Sequence, residues 1–308
     1  METAAGLAIG LLAAFLQSCS YVVSASYARG SGKPAWTLLA PSFAAMGVFA
    51  AALLPFAWPD AGAPRPDWPR LLPFAAACIL MCMAGNGAMF FLLKRVDSSR
   101  ASPLLALKVP ILAVAGVAAT GRNCTAAQWC AVALVVLSAF LLAGAGRRVT
   151  AGAWAWLLAA CASFCASDWF ITASCGACSA SFGGSVARYS IFAACVIYVA
   201  GGLFSLAALA AQGLPPRRVW IRWALPYAVF WFLAMIALFV CFALCGLVLG
   251  NIVQSARGLV SVALGWAIAR SGRTGLEENV PASVVARRTA AALLVVAAMA
   301  LYAAGKAT

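Results

Sequence analysis

The sequence predicts an all-α integral membrane protein with ten transmembrane helices, arranged as two inverted five-helix repeats. Three observations support this prediction: the 308 residues are 65% hydrophobic and 9% charged, apolar runs recur along the chain, and its two halves resemble each other. Soluble domains carry about 25% charged residues, so the composition excludes a soluble fold. The apolar runs are about 20 residues long and continuous rather than alternating, which predicts spanning helices and excludes a transmembrane β-barrel.

Ten apolar segments separated by short polar connections define the predicted helices. In chain order they are Ala4–Tyr27, Trp36–Trp58, Leu71–Leu93, Ala101–Gly121, Thr125–Ala145, Gly152–Ser174, Ser185–Gln212, Trp223–Gly246, Leu247–Ala269 and Ala282–Ala304. The acidic Glu2 precedes the first segment, where a signal peptide would carry basic residues, so this segment is predicted to remain as a membrane span. The loop between the eighth and ninth segments is predicted to be nearly absent.

Sequence echoes at corresponding places indicate an internal repeat. Leu11–Ala14 in the first segment aligns with Leu157–Ala160 in the sixth, and the third segment opens with LPFA where the eighth opens with LPYA. Because each repeat has an odd number of helices, the second repeat must cross the membrane in the opposite orientation. The chain therefore divides into residues 1–148 and 149–308, which together form one integral membrane unit.

The basic residues lie mainly on one predicted side of the membrane. The odd-numbered connections and their borders carry Arg29, Lys33, Lys94, Arg95, Arg100, Arg147, Arg148, Arg217, Arg218, Arg222, Arg270, Arg273, Arg287 and Arg288. The opposite side has only Arg65, Arg70, Arg122, Arg188 and Lys306. The positive-inside rule makes the basic side cytoplasmic and places both termini outside, with the protein in the cell membrane, or in the inner membrane if the cell is Gram-negative.

Composition also argues against several other classes of protein. The net charge of +14 comes from residues in short connections rather than from a basic domain, so nucleic-acid binding is not predicted. The twelve cysteines lie mostly inside apolar segments, and without any histidine Cys175 and Cys178 lack the further ligands of a zinc site. No metal or cofactor is predicted, and the sequence contains no phosphate-binding loop for an ATP motor. A membrane enzyme is not predicted either, because the acidic residues are few and lie mostly in connections.

Two cations at matching positions in the two halves form the predicted substrate site. Lys108 lies in the fourth segment and Arg257 in the ninth, and each is followed by a glycine eight residues later, Gly116 and Gly265. A charge at such a depth costs about 2.5–3.5 kcal/mol on insertion scales, so it requires a partner or a water-filled cavity. A lysine point charge and an arginine fork together favour an anionic or carboxylate-bearing substrate. The structural alternative is that each cation simply pairs with an acid or with carbonyl groups, or extends to the membrane interface.

Asp168 is the only acid well inside a predicted span, so it cannot compensate both cations. It is predicted to pair with Lys108 or Arg257, to bind a substrate amine, or to carry a coupling proton. Further substrate-binding candidates are nearby polar residues: Gln254, Asn86, Gln17 and Tyr21. Three tryptophans are interpreted as interface anchors rather than cavity walls: Trp154, Trp156 and Trp231. Pro110 and Gly258, beside the two cations, are predicted to bend their helices during gating.

These features resemble the drug/metabolite transporter superfamily, in particular its EamA-like permeases. The resemblance covers nearly the whole chain and rests on SSRASPLLALKVPILAVAG at 98–116 and NIVQSARGLVSVALGWAIA at 251–269, each followed by a short polar loop and a final helix. Family members often have Leu-Gly-Glu at the end of this helix, whereas this chain has TGR at 120–122 and SGR at 271–273. The resemblance implies an alternating-access carrier for small metabolites, amino acids or drugs. It also implies cytoplasmic termini, opposite to the orientation that the charges predict.

The predicted function is therefore a secondary transporter that moves a small organic metabolite, anionic or carboxylate-bearing such as an amino acid, across the cell membrane. The alternative on the same fold is an exporter of cationic or lipophilic drugs, which would require a cavity dominated by acids. A channel and a membrane enzyme are further alternatives. The predicted partners are the small-molecule substrate and the lipid bilayer, with proton or counter-substrate coupling and homo-oligomerisation left open.

Overall fold

The computed structural model describes residues 2–121, 123–143, 150–270 and 282–305, and these ranges contain helices and turns but no β-strand. Seven helical segments are long and apolar enough to cross a membrane: Glu2–Gly30, Trp36–Ala57, Trp68–Leu93, Arg100–Ala119, Ala151–Phe182, Val186–Gln212 and Arg217–Cys245. Two shorter apolar helices are Ala126–Leu142 and Thr289–Ala304. These segments confirm the predicted all-helical class and have the apolar lengths that a membrane protein requires.

The helices of the described ranges are numbered in chain order. They are α1 (Glu2–Gly30), α2 (Trp36–Leu53), α3 (Trp68–Leu93), α4 (Ser98–Leu104), α5 (Lys108–Thr120), α6 (Ala126–Ala143), α7 (Ala151–Ser179), α8 (Val186–Gln212), α9 (Arg217–Val219), α10 (Leu225–Cys245), α11 (Leu247–Gln254), α12 (Arg257–Arg270) and α13 (Ala282–Ala304). A 3₁₀ turn, Leu105–Leu107, joins α4 to α5, and a π-helical turn, Trp220–Ala224, joins α9 to α10. The fourth and ninth predicted segments are thus each divided into two helices, where the sequence predicts one continuous segment.

The long helices pack in pairs. Helix α1 packs against α10, α3 against α7, α2 against α8, and α6 against α13. The contact between α2 and α8 depends on two glycines, because a Cβ atom built on Gly47 would lie 2.6 Å from the Cα atom of Gly202. Lipid tails are as apolar as the helices, so helix association in a membrane depends on the close van der Waals packing that such small residues allow.

One end of the bundle, which we call the N-terminal face, brings the start of α1 to the end of α10. Cys245 Sγ lies 3.7 Å from the carbonyl oxygen of Thr3 at this end. On the same face Arg188, in the first turn of α8, forms an ion pair with Asp60 in the loop after α2, and Nη1 lies 2.8 Å from Oδ2. The hydrogen bond and the charge of Arg188 lower the pKa of the Asp60 carboxyl. Only Gly246, with a φ of 81°, separates α10 from α11, which confirms the predicted near absence of this loop.

The opposite end of the bundle, which we call the basic face, carries the connections in which arginine and lysine are concentrated. Arg29 in the last turn of α1 forms an ion pair with Asp97, directly before α4. Lys94 Nζ, after the end of α3, donates to the carbonyl oxygen of Lys33 in the loop between α1 and α2 over 3.2 Å. These contacts tie the ends of α1, α3 and α4 together at the basic face.

Candidate functional site

Lys108 and Arg257 each occupy the first position of a helix that follows a break. Lys108 begins α5 directly after the 3₁₀ turn, and Arg257 begins α12 after a turn at Ser255 and Ala256. The amino-terminal end of a helix carries a partial positive charge from its aligned peptide dipoles. Each cation therefore lies where the backbone also contributes positive potential.

Different sequence features accompany the two breaks. Pro110 has no N–H group to donate to the carbonyl of Ala106, and the N–H of Lys108 donates to a carbonyl only three residues back. In the second half, Ser255 Oγ donates to the carbonyl oxygen of Ile252 over 2.5 Å, which offers the backbone a local alternative to the helical pattern. The helix is therefore interrupted directly before Lys108, with Pro110 inside the turn that follows the break.

Lys108 is paired with Asp168 of α7 in the interior of the bundle. The Nζ atom of Lys108 lies 2.8 Å from Oδ2 of Asp168, and the two side chains are 3% and 5% exposed. Cys165, one turn earlier in α7, places its Sγ 3.5 Å from the carbonyl oxygen of Lys108 and so joins the two backbones at the same level. Either charge would be costly alone at this depth, whereas together they compensate each other. Of the roles predicted for Asp168, the ion pair with Lys108 is the contact that the structure contains.

Among the described residues, Arg257 has amide rather than carboxylate partners. Its Nη1 donates to Oε1 of Gln17 in α1 over 3.1 Å, and Nε2 of Gln254 donates to the same oxygen over 2.9 Å. Arg257 is 2% exposed, and its Nε and Nη2 atoms have no hydrogen-bond partner among the described residues. Oε1 of Gln254 also lacks a partner in this part of the chain. Because buried polar groups are normally hydrogen-bonded, two arginine donors and one amide acceptor are available here to a ligand.

A small central cavity lies between these groups. It is lined by Gln17, Tyr21, Cys82, Lys108, Phe164, Ser167, Asp168, Trp231, Met235, Leu238, Gln254 and Arg257. Counted as ionised, its two cations and one carboxylate give the cavity one net positive charge. The space open to a water-sized molecule is about 10 Å³, which is enough for about one water molecule. The central cavity is therefore occluded in this conformation.

A larger apolar cavity, which we call the vestibule, lies between the central cavity and the N-terminal face. Its volume is about 490 Å³, and its lining residues are Leu112, Gly116, Trp169, Thr172, Ala173, Cys245, Gly246, Leu247, Val248, Leu249 and Tyr302. Leu112 lies one turn beyond Lys108 in α5, and Thr172 lies one turn beyond Asp168 in α7. The vestibule therefore reaches to within about one helical turn of the buried ion pair.

Most of the predicted substrate-binding residues come together. Those that line the central cavity are Lys108, Arg257, Asp168, Gln254, Gln17 and Tyr21. Asn86 does not line it: its Nδ2 donates to the carbonyl oxygen of Cys82, and its Oδ1 accepts from the hydroxyl of Tyr227 over 2.6 Å. Asn86 therefore links α3 to α10 behind the cavity wall.

The predicted gating residues lie at the breaks of the two divided helices. Pro110 is in the first turn of α5, and Gly258 is the second residue of α12. A Cβ atom built on Gly258 would lie 3.0 Å from the Cα atom of Pro103, so Gly258 allows α12 to pack closely on α4.

Several lining residues are not identified from the sequence alone. Trp231 is predicted to be an interface anchor, and this is wrong: it is 1% exposed and donates from Nε1 to the hydroxyl of Tyr198 over 2.9 Å. The other lining residues that the sequence does not single out are Cys82, Phe164, Ser167, Met235 and Leu238. Helical spacing is the signal that identifies some of them, since Phe164 lies one turn before Asp168 and Met235 one turn after Trp231.

Comparisons with known proteins agree with this architecture. Residues 4–144 match the EamA-like transporter family, which confirms the resemblance seen in the sequence. No curated protein matches the sequence. Among the solved structures, a protein described only as "Crystal structure of protein" is similar in fold, with a TM-score of 0.63 and 18% identity over 96% of this chain and 95% of its own. The match spans residues 4–144, a little under half of the chain, and over these residues the chain is similar to the EamA-like transporters of the drug/metabolite transporter superfamily.

Proposed function

We propose that the protein is an alternating-access secondary transporter for a small organic metabolite that carries a carboxylate or another anionic group, amino acids included. The observation that carries the proposal is the environment of Arg257. This buried arginine lines the central cavity, has no carboxylate partner among the described residues, and retains two nitrogen atoms without a hydrogen bond. A carboxylate can accept from two guanidinium nitrogens at once, which makes it the ligand group that matches this arrangement.

The charge balance of the cavity supports an anionic ligand. Asp168 forms an ion pair with Lys108 over 2.8 Å, so its negative charge is already compensated. Arg257 is then left as an uncompensated cation inside the bundle, where the cost of a lone charge is high. A bound anion removes that cost, whereas a cationic ligand would add to it.

The rest of the cavity lining supports an organic substrate rather than a simple inorganic ion. Oε1 of Gln254 lacks a partner in the described chain and can accept from a substrate hydroxyl or ammonium group. The rings of Tyr21 and Phe164 pack on Trp231 with centroid separations of 5.9 and 6.3 Å, and all three line the cavity. These aromatic faces offer apolar contact to the body of a substrate whose anionic end binds Arg257.

The helix packing supports ten membrane helices in two inverted repeats, residues 1–148 and 149–308. A two-fold axis that exchanges the repeats relates α1 to α7 and α3 to α10, so it exchanges the α1–α10 contact with the α3–α7 contact. The pairs α2 with α8 and α6 with α13 each join equivalent helices across the same axis, which also exchanges the α4–α12 contact with the α5–α11 contact. In this scheme the fourth membrane helix is broken into α4 and α5, and the ninth is broken into α11 and α12. A cation lies at each break. Discontinuous helices at a repeat interface are a recurrent way to build a transporter site near the membrane midplane.

The two ends of the bundle support alternating access. At the N-terminal face the vestibule of about 490 Å³ ends about one turn from the central cavity. At the basic face the ion pair of Arg29 with Asp97 joins α1 to the start of α4. If each repeat adopted the conformation that the other has here, the vestibule would close and the basic face would open. A carrier needs this transition. By the positive-inside rule the basic face is cytoplasmic, and the protein lies in the cell membrane. Transport is coupled to a proton or to a counter-substrate.

Thermal unfolding of the purified protein with a panel of organic anions, zwitterions and cations tests the substrate class. We expect carboxylate-bearing compounds to raise the unfolding temperature, since a ligand that binds the folded state stabilises it by mass action. The shift should vanish in Arg257→Gln and persist in Arg95→Gln, which removes an exposed arginine at the basic face. An undiminished shift in a folded Arg257→Gln variant would overturn the anion site. Stabilisation by cations or lipophilic drugs alone would favour the drug exporter.

Counterflow in proteoliposomes tests the carrier mechanism separately. An alternating-access carrier takes up labelled substrate faster when unlabelled substrate is present inside the vesicle, because each outward transit of unlabelled substrate returns the binding site to the outside. A channel shows no such stimulation. Equal uptake with and without internal substrate would therefore contradict the proposed mechanism while leaving the ligand specificity of the cavity intact.

A further inference from the structure

A cavity at the basic face lies outside the proposed transport site. It has a volume of about 410 Å³ and is lined by Tyr27, Gly30, Ser31, Lys33, Pro216, Arg218, Val219, Arg222 and Trp223. These residues come from the end of α1, the loop before α2, and the stretch from α9 into the π-helical turn. The cavity therefore joins one end of each proposed repeat.

Three cations surround this cavity without a described acidic partner. Lys33, Arg218 and Arg222 are exposed, and none of them forms an ion pair with a carboxylate of the described residues. Arg29, one residue before the lining residue Gly30, differs because Asp97 compensates it. The cavity thus carries a local excess of positive charge that favours an anion.

The backbone at the cavity is held in an unusual form. Leu225 N–H donates to the carbonyl oxygen of Trp220, five residues back, and Pro226 has no N–H group with which to continue the regular pattern. Such wide turns occur frequently at functional sites. The turn contributes Arg222 and Trp223 to the same cavity, and the guanidinium of Arg222 lies 5.2 Å from the Trp223 ring centroid.

The surroundings of the cavity indicate a membrane origin for its ligand. Leu214 and Ile221, close in sequence to the lining arginines, are 76% and 56% exposed. Exposed apolar side chains beside arginines and a tryptophan are the pattern of a segment at the boundary between lipid tails and head groups. The rings of Tyr27 and Trp223 meet edge to face at 5.8 Å and add an apolar wall to the cationic rim.

We propose that this cavity binds the head group of an anionic phospholipid, with the lipid phosphate among Lys33, Arg218 and Arg222. Basic pockets between membrane helices on the cytoplasmic side are suited to anionic head groups. The bound lipid would connect the loop after α1 to the segment before α10.

Binding of short-chain phosphatidylglycerol to the purified protein in mild detergent tests the proposal, with phosphatidylcholine as the neutral comparison. The cavity variant is Arg218→Gln with Arg222→Gln. The matched control is Arg217→Gln with Arg95→Gln, which removes the same charge from the same face outside the cavity. We expect phosphatidylglycerol to bind the cavity variant about thirtyfold more weakly, since each basic side chain near an anionic lipid contributes roughly fivefold in affinity. The control variant should bind as the wild type does.

Three outcomes would overturn the proposal. Equal weakening in both variants indicates diffuse surface charge rather than a site. Equal binding of phosphatidylcholine shows that the anionic head group is not recognised. If inorganic phosphate binds in the cavity and displaces phosphatidylglycerol, the cavity is a site for a small soluble anion. The unfolding temperature of each variant without lipid verifies that it is folded, and transport need not be measured.

Discussion

Lys108 and Asp168 form a buried ion pair in which Nζ lies 2.8 Å from Oδ2, while Arg257, at the corresponding position of the second half, contacts Gln17 instead. The two cations that stand at matching positions in the sequence therefore have different surroundings. One cation is compensated inside the protein, whereas among the described residues the other has amide partners and retains two nitrogen atoms without a hydrogen bond. This asymmetry is the basis of the proposed anion site, and it makes the roles of the four residues separable by mutation.

Asp168→Asn should strongly destabilise the protein, because it leaves Lys108 buried without its counter-charge. We expect a loss of about 3–5 kcal/mol in the free energy of unfolding. The double variant Lys108→Met with Asp168→Leu removes both charges and should recover most of that loss. Thermal unfolding of the three proteins in one detergent provides the comparison. If Asp168→Asn unfolds at the wild-type temperature, the pair does not carry the buried charges assigned to it.

Gln17→Glu should weaken anion binding strongly without disrupting the fold. The substitution is nearly isosteric and places a carboxylate against the guanidinium of Arg257, which at present donates to Gln17 Oε1 over 3.1 Å. The internal carboxylate competes with the ligand, so we expect binding of an anionic ligand to weaken by about tenfold or more. Gln212→Glu, at the exposed end of α8, is the matched control and should leave binding unchanged. Full binding by Gln17→Glu would show that the anion does not contact Arg257.

Gly47→Ala should destabilise the contact between α2 and α8. The added methyl group would lie 2.6 Å from the backbone of Gly202, which cannot move as a side chain can. Overpacking of this kind costs about 1–3 kcal/mol, measured as a lower unfolding temperature. Gly87→Ala in α3 is the control, because a Cβ atom there meets nothing within 4 Å and alanine favours the helix. Equal stability of the two variants would mean that the helices are not in backbone contact.

Gly258→Ala should slow transport while leaving ligand affinity nearly unchanged. Its methyl group would press on the backbone of Pro103 at 3.0 Å and alter the crossing of α4 and α12, but Gly258 does not line the central cavity. We expect a counterflow rate several-fold below that of the wild type and an unchanged thermal shift with ligand. Gly176→Ala, whose Cβ atom meets open space in α7, should transport normally. A wild-type rate for Gly258→Ala would remove this glycine from the gating mechanism.

The amino-acid sequence by itself determines the membrane class and the positions of the main helices. Both follow from the hydrophobicity of neighbouring residues, because a run of apolar side chains enters the lipid and the backbone must then satisfy its own hydrogen bonds as a helix. A single charge such as Lys108 or Arg257 is conspicuous in the sequence because it interrupts such a run. The cost of each charge is local, and it predicts a partner or a cavity without identifying either.

Only the tertiary structure decides which residues satisfy those charges. Asp168 is 60 residues from Lys108, and Gln17 is 240 residues from Arg257, so no local pattern connects them. The sequence also does not distinguish Trp231, a buried wall of the cavity, from an indole at the membrane interface, because both environments suit an amphipathic ring. Contacts between helices depend on how their faces meet in three dimensions, and that arrangement leaves two donors of Arg257 without a partner in the described part of the bundle.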